Sequence, residues 1–342
     1  MNGVGFSCVL VTGGCGFIGS HFIRLLLHER PGVRVVNLDA LTYAGNPANL
    51  RDVEDDPRYR FVHGDICDQE AVRQAVGDAD AIVNFAAETH VDRSILDASA
   101  FLRTDVVGTH TLLEAARRHD GVRFVQVSTD EVYGDVRSGA SREDDRLAPR
   151  SPYAASKAAA DLAVLAYAAT YGMDVAITRG ANTYGPNQFP EKLIPLFITN
   201  LIDDEPVPLY GDGQQVRDWL HVEDHARGVL IVLEAGRSGD VYNLAAGNAR
   251  TNRSVAERLI ELCGRRVATH LRYVTDREGH DRRYSLDATK AQSIGWCAAQ
   301  PFDEGLAATV RWYAENEGWW RPLRGPQFAE YYRRQYAARW PA

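Results

Sequence analysis

Along the first half of the chain, short runs of apolar and β-branched residues alternate with longer stretches whose apolar positions recur every three or four residues. The runs fall at Cys8–Thr12, Val33–Leu38, Arg60–Val62, Ala81–Phe85, Arg123–Ser128 and Asp174–Thr178. The periodic stretches fall at Phe17–Glu29, Glu70–Val76, Ala98–His119 and Ser151–Tyr171. Strands that are apolar without alternation are covered on both faces, so this order predicts βαβ units building a doubly wound parallel sheet of the α/β class. Beyond Gly180 the texture changes. Residues 181–222 are rich in Pro, Gly, Asn and Asp and predict loops, short strands and one short helix near Glu191–Leu201. Gly228–Glu234 and Val241–Leu244 predict a helix and a strand returning to the main sheet. Residues 246–342 predict helices at Ser254–Cys263 and Asp303–Asn316 among aromatic loops. The expected organisation is a cofactor domain of residues 1–180 plus about 219–245, and a smaller, discontinuous α/β lobe of about 181–218 plus 246–342, with the ligand cleft between them.

Composition narrows the function. With 342 residues, 45% hydrophobic and 25% charged, the chain is globular and long enough for a large core. Acidic residues number 46 against 38 basic ones, a formal net charge of −8, which argues against a nucleic-acid partner. A small anionic ligand remains compatible, because helix N-termini and local arginines act against the global sign. The five cysteines, Cys8, Cys15, Cys67, Cys263 and Cys297, are scattered without CxxC or Cys/His ligand spacing. They predict free thiols in a reducing cytoplasm, with no disulfide framework and no metal site. The N-terminus has no basic region before its first strand, and no apolar run approaches the ~18 residues of a membrane span, so a cytoplasmic location without a membrane partner is expected.

The first chemical motif is Val9-Leu-Val-Thr-Gly-Gly-Cys-Gly-Phe-Ile-Gly19, a strand, a glycine turn and a helix start. Gly13, Gly16 and Gly19 give the tight turn, the close approach to a pyrophosphate and the close helix packing of a Rossmann-type dinucleotide fold, with Phe17 and Ile18 in the helix's first turn. Asp39 closes the second strand 20 residues after Gly19, where a carboxylate accepts from a ribose 2′-OH and repels a 2′-phosphate. NAD is therefore expected over NADP. Asp65-Ile66 and Phe85-Ala86-Ala87 follow the third and fourth strands at the carboxyl edge, where adenine and ribose would lie; Asp65 could equally be a turn or cap residue.

The second motif is Tyr153-Ala-Ala-Ser-Lys157. Positions i and i+4 share a helix face, so an ammonium can stand beside the phenol. Cations lower a phenol's pKa from near 10, which makes tyrosine usable as a base. The third motif, Thr129-Asp130-Glu131, follows the fifth strand and places a hydroxyl and two carboxyl groups at the same edge.

Together these motifs resemble the extended short-chain dehydrogenase/reductase family over nearly the whole chain. Further segments, among them His90-Val-Asp-Arg-Ser94, Gln188-Phe-Pro-Glu-Lys-Leu-Ile-Pro195, Arg217-Asp-Trp-Leu-His-Val-Glu-Asp-His225 and Gly279-His-Asp-Arg-Arg-Tyr284, are similar to the nucleotide-sugar 4,6-dehydratases of that family that act on dTDP-glucose. The resemblance implies NAD-dependent oxidation at C4 with Tyr153 as base, aided by Thr129 and Lys157. It implies elimination across C5 and C6 by Glu131 as base and Asp130 as acid, and return of hydrogen to C6. The product is a 4-keto-6-deoxyhexose nucleotide and water. Carried over by position, Asn182, Glu191, Lys192, Leu193, Pro208, Tyr210, Arg217, Asn252, Arg277 and His280 form the substrate pocket, with Tyr284 a further candidate. Arg217 and Arg277 suit pyrophosphate, while Tyr210 and Leu193 read equally as packing. The chain departs from the family at Gly180-Ala181, Thr183, Asn187 and Thr89. Those departures keep a UDP- or CDP-linked hexose open as substrate, and a nucleotide-sugar 4-epimerase is the alternative reaction. Kinship and the alanine-rich faces of Ala98–His119 and Ser151–Tyr171 imply a homodimer through a four-helix bundle.

Overall fold

The computed structural model describes residues 5–336 and Arg339. Residues 1–4, which open the N-terminal stretch considered above, and the last residues of the second lobe lie outside the described residues. The strands in chain order are β1 (Cys8–Thr12), β2 (Arg34–Asp39), β3 (Tyr59–His63), β4 (Ala81–Asn84), β5 (Arg123–Thr129), β6 (Val175–Gly180), β7 (Asn182–Tyr184), β8 (Val207–Tyr210), β9 (Val216–His221), β10 (Asp240–Leu244), β11 (Ala249–Thr251) and β12 (Leu271–Val274).

Seven strands form one parallel sheet in the order β10-β6-β5-β4-β1-β2-β3. This is the expected doubly wound sheet. The strand order reverses between β1 and β4, which opens a crevice at their carboxyl ends. β1, β4 and β5 are buried along their whole length; β1 and β4 read as nearly continuous apolar runs, while β5 buries Arg123, Gln126, Ser128 and Thr129 among its apolar residues. One face of the sheet packs through Phe22, Ile23 and Leu26 with Val229 and Leu233, the other through Leu10, Ile82, Leu112 and Phe124.

A separate core gathers Tyr184, Phe197, Leu209, Trp219, Leu259, Leu306 and Trp320, around a three-stranded sheet (β11-β9-β7) and a two-stranded one (β12-β8). β9 pairs with β7 and β11, while the helix Val222–Ala235 that follows it returns to the main sheet.

Several elements differ from their sequence expectation. The stretch 98–119 is not one α-helix: Ser99–Phe101 leads into a π-helical segment, Leu102–Gly108, before α-helix resumes at Thr109–Ala116. The wider turn carries Asp105 inward, where it is 1% exposed and accepts hydrogen bonds from Ser156 Oγ (2.6 Å) and Glu88 N (3.0 Å). The strand β12 was not legible, since two of its four residues are exposed. The stretch read as aromatic loop after 316 is helical at Glu317–Trp320 and Pro326–Tyr336, because Phe328, Tyr331, Gln335 and Tyr336 recur at helical spacing and bury one face. Among the described residues, no helix is long and apolar enough to cross a membrane.

Candidate active site

The crevice at the β1/β4 reversal is lined by the glycine turn, the end of β2 and the segments after β4 and β5. Gly13 has φ +66°, and a Cβ there would stand 2.7 Å from the Ala86 backbone; Gly19 would meet Gly13 O at 2.5 Å. Gly16 meets only Gly13 O, at 3.1 Å, so the turn keeps an open face beside the start of helix Phe17–Glu29. Asp39 is buried at the tip of β2. Its Oδ2 accepts from Cys15 N (2.8 Å) and its Oδ1 from Leu41 N (2.8 Å), which aims the carboxylate along the crevice wall. Asp65 lines the crevice and also closes a turn onto Cys67 N (2.8 Å); the helix cap that follows is Asp68, not Asp65. Phe17, Ile18, Ile66, Phe85, Ala86 and Ala87 line the same cleft. These residues fit a dinucleotide: open backbone at a helix N-terminus, an acidic residue for a ribose and an apolar wall. Among the described residues no cluster of His, Cys, Asp or Glu suits a metal ion.

β5 ends at Thr129, whose hydroxyl caps the short 3-10 turn Asp130–Tyr133 and lies 3.2 Å from Asp130 Oδ1. Asp130 is 3% exposed, and burial first, then the Glu131 carboxylate, pushes its carboxyl up to about 8. Its Oδ2 has no hydrogen-bond partner among the described residues. Burial also raises Glu131, although Arg277, Arg217 and Lys192 pull it back. Tyr284 Oη lies 3.4 Å from Glu131 Oε2 and 2.8 Å from Asp281 Oδ2.

Helix Pro152–Tyr171 starts with Ser151 as its cap and Pro152 in its first turn, and it carries Tyr153 and Lys157 into the cleft. Burial and the carboxylates of Glu131 and Asp105 raise the Tyr153 phenol well above its usual range. The Lys157 ammonium donates to Val127 O (2.8 Å) on β5 rather than to the phenol oxygen. The tyrosine is thus a neutral phenol until another cation enters the cleft.

A second cavity shares Glu131, Asn182, Glu191 and Lys192 with the first and runs into the smaller core. Leu193, Pro208, Tyr210, Arg217, Asn252, Arg277, His280 and Tyr284 all line it. The Oδ1 atoms of Asn182 and Asn252 are buried without a partner among the described residues, and both are available to a ligand. Arg217 packs over Tyr284 at 4.1 Å and spends two donors on the carbonyls of Val216 and Asp281. Arg277 donates to Asp92 Oδ1 (3.0 Å), and its Nε is without a partner among the described residues. Lys192 donates to Thr89 O, and burial lowers its pKa. His280 Nδ1 lies 2.6 Å from Asp276 Oδ1. Glu191, almost fully buried, accepts from Arg93 Nε (2.8 Å) and so is occupied by the protein itself.

Several cleft residues escaped the sequence reading. Glu88 lines the crevice, and burial with Asp105 nearby lifts it to about 7. Asp92 holds both Arg277 and Tyr210, and Tyr43 lies under the Arg93 guanidinium at 4.0 Å. The quoted segment His90-Val-Asp-Arg-Ser94 contained the signal for Asp92 and Arg93, an acid and a base on a short helix with no partner nearby in sequence. The departures at Gly180 and Thr183 share one cause. A Cβ at Gly180 would stand 2.4 Å from His225 Cε1, and Thr183 Oγ1 lies 2.7 Å from His225 Nδ1, so the imidazole takes the space and the hydrogen bond.

A parallel sheet whose glycine turn faces a Tyr-x-x-x-Lys helix across the β1/β4 crevice defines a short-chain dehydrogenase/reductase of the extended, nucleotide-sugar type. The sequence model of the family described as GDP-mannose 4,6 dehydratase matches residues 10–309. The chain is 52% identical to a dTDP-glucose 4,6-dehydratase of Streptomyces niveus, over 94% of this chain and 97% of the relative. It is 54% identical to one from Streptomyces griseus, over 92% and 96%. The solved DesIV dTDP-glucose 4,6-dehydratase of Streptomyces venezuelae, with NAD bound, superposes with a TM-score of 0.90 at 55% identity, covering 92% of this chain and 99% of that one. The UDP-glucose 4-epimerase of Thermus thermophilus, also with NAD, matches at a TM-score of 0.83 and 31% identity, over 90% and 99%. The chain belongs to the dTDP-glucose 4,6-dehydratase family.

Proposed function

We propose that this chain converts dTDP-glucose to dTDP-4-keto-6-deoxyglucose and water on NAD held between Gly13, Gly16, Asp39, Asp65 and Lys157. NAD, when bound there, supplies the oxidising centre for C4, the reducing equivalent for C6 and a positive charge beside Tyr153. With that charge present the buried phenol can take the proton of the sugar 4-OH, Thr129 donating to the same oxygen. Lys157, fixed by Val127 O, holds the local potential positive. The 4-ketone acidifies C5–H, which Glu131 removes. Asp130 delivers its proton to the departing 6-hydroxyl, and Glu131 later returns a proton to C5. The two arginines and Lys192 face the pyrophosphate, and Asn182 and Asn252 turn their free acceptors toward substrate hydroxyl or base donors.

The observation that carries this reading is Asp130: a buried carboxyl raised to about 8 beside a second carboxyl and the catalytic tyrosine. Oxidation and reduction at one carbon, as in an epimerase, require no such proton donor; loss of water does. The decisive experiment incubates purified protein with dTDP-, UDP-, CDP- and GDP-glucose and follows each by mass spectrometry. Loss of one water from dTDP-glucose is expected, with deuterium entering C5 in D2O and the C4 hydrogen reappearing at C6. A product of unchanged mass, or solvent deuterium at C6, overturns the dehydratase reading.

The same protein forms a homodimer in this reading. Leu102, Val107, Leu162 and Tyr171 are each at least half exposed, on the 99–116 segment and helix Pro152–Tyr171, which pack against one another. Large apolar side chains left exposed on two neighbouring helices favour a helical interface with a second copy.

A further inference from the structure

One wall of the cofactor crevice is a loop, residues 40–45, that follows β2. It leaves Asp39, and just past its other end Asn46 N donates to Cys15 O in the glycine turn at 3.0 Å. Between these ties Leu41 takes φ +51°, Gly45 N closes a turn onto Thr42 O at 3.0 Å, and Thr42, Tyr43 and Ala44 line the crevice. The middle of the loop is held through the side chain of Tyr43.

The partners of that side chain come from distant parts of the chain. Phe189, which packs on the smaller core, meets the Tyr43 ring edge to face, with centroids 5.4 Å apart and planes at 89°. The Arg93 guanidinium, on the short helix Val91–Leu96, lies 4.0 Å from the centre of the Tyr43 ring. It also lies 4.4 Å from the centre of the Tyr331 ring, on helix Pro326–Tyr336. Its Nε donates to Glu191 Oε2 at 2.8 Å, and the Glu191 side chain is 1% exposed. A planar guanidinium can stack on a ring face while an in-plane N–H reaches a carboxylate; an ammonium cannot do both. Arg93 lines neither the cofactor crevice nor the substrate cavity, whereas Tyr43 and Glu191 line the crevice. Its influence on a bound dinucleotide therefore passes through these neighbours.

In the reaction proposed above, NAD ends each turnover in the oxidation state in which it began, so its release is no step of the cycle. Resting on that reading, we propose that Arg93 is a positioning residue for the cofactor. It pins the 40–45 loop through Tyr43 to the smaller lobe, and NAD leaves the crevice only when this stack opens.

The test uses the full chain loaded with NAD. Bound NAD is displaced by excess etheno-NAD without substrate, and the fluorescence change, limited by NAD release, gives the rate. Arg93→Lys keeps a cation for Glu191 but loses the stack, and it should release NAD about tenfold faster or more. Tyr43→Leu should act by a similar factor, while Tyr43→Phe, which keeps the ring, should release NAD at the parental rate. Both changes break one contact, so the double variant should be no faster than the faster single one. With dTDP-glucose, kcat at saturating NAD should stay within about threefold while the NAD concentration for half-maximal rate rises. Parental release in both Arg93→Lys and Tyr43→Leu, or a loss confined to kcat, overturns the proposal. So do multiplying effects in the double variant. Release from Tyr43→Phe as fast as from Tyr43→Leu would assign the hold to the phenol hydroxyl and overturn it equally. Failure of the unaltered protein to dehydrate dTDP-glucose would instead overturn the reading of its activity, a separate readout from NAD release.

Discussion

In the proposed reaction two adjacent carboxyl groups, Asp130 and Glu131, do opposite work, and their surroundings differ accordingly. At Asp130 burial and the Glu131 charge outweigh Arg217, and one oxygen has no partner among the described residues, so at neutral pH it keeps its proton. Glu131 faces Arg277, Arg217 and Lys192, which favour its anion. A group raised to about 8 is an acid below that pH and spent above it, so the elimination step should fall as pH rises through about 8. Asp130→Asn should remove that limb and lower kcat by about 10²–10³; a pH–rate profile of the variant that still bends near 8 assigns the acid elsewhere. Glu131→Gln should still oxidise C4 but stop deuterium uptake at C5 in D2O, read by mass spectrometry. Full turnover in that variant removes Glu131 from the role of base.

At the scale of elements, the π-helical segment Leu102–Gly108 brings a third acid, Asp105, against the catalytic helix. There Ser156 donates to it one residue before Lys157. Burial lifts Asp105 to about 6. A carboxyl whose folded pKa lies above its unfolded value of 3.8 stabilises the fold fully below about 4 and loses that contribution as pH rises through about 6. Asp105→Asn removes the charge and keeps an acceptor for Glu88 N, while the hydrogen bond with Ser156 must reverse, the amide donating to Oγ. Its stability relative to the parent protein should therefore improve by up to about 1.4 kcal/mol per unit over that window, measured by urea unfolding at pH 4.5 and 6.5; a pH-independent difference would refute the burial argument. None of this was legible along the chain, because nothing local distinguishes Asp105 from an exposed helix acid: its character comes from Glu88, Ser156 and the extra residue in the turn. The opposite holds for β1 and β4, buried on both faces and thus apolar nearly throughout, and for Thr129-Asp130-Glu131 and Tyr153–Lys157, whose side chains are contiguous or one helical turn apart. β12 and the helix Pro326–Tyr336 were missed because their buried positions are interleaved with Arg, Gln and Tyr, which dilute the period.

For the molecule as a whole, the net charge of −8 is set against a ligand that is itself anionic, and the cavity brings Lys192, Arg217 and Arg277 to it, among lining acids of which Asp92 is held by Arg277 and Glu191 by Arg93. The far side of the catalytic helix leaves apolar side chains in water. Leu162, 58% exposed, lies on the opposite face of its helix from Tyr153, and Leu102 and Val107 are exposed on the segment that packs against that helix. These side chains are already about half covered, so burying the rest of each against a second copy is worth about 0.7–1.5 kcal/mol, and a two-fold axis doubles the count. Leu162→Glu would place a charge from each protomer in that seam, where desolvation and mutual repulsion both oppose contact. The parent chain should sediment as a dimer and this variant as a monomer. Because every residue assigned to the cleft comes from one chain, the monomer should keep its affinity for dTDP. A parent chain that is monomeric at micromolar concentration, or a Leu162→Glu variant that remains dimeric, would place the interface elsewhere.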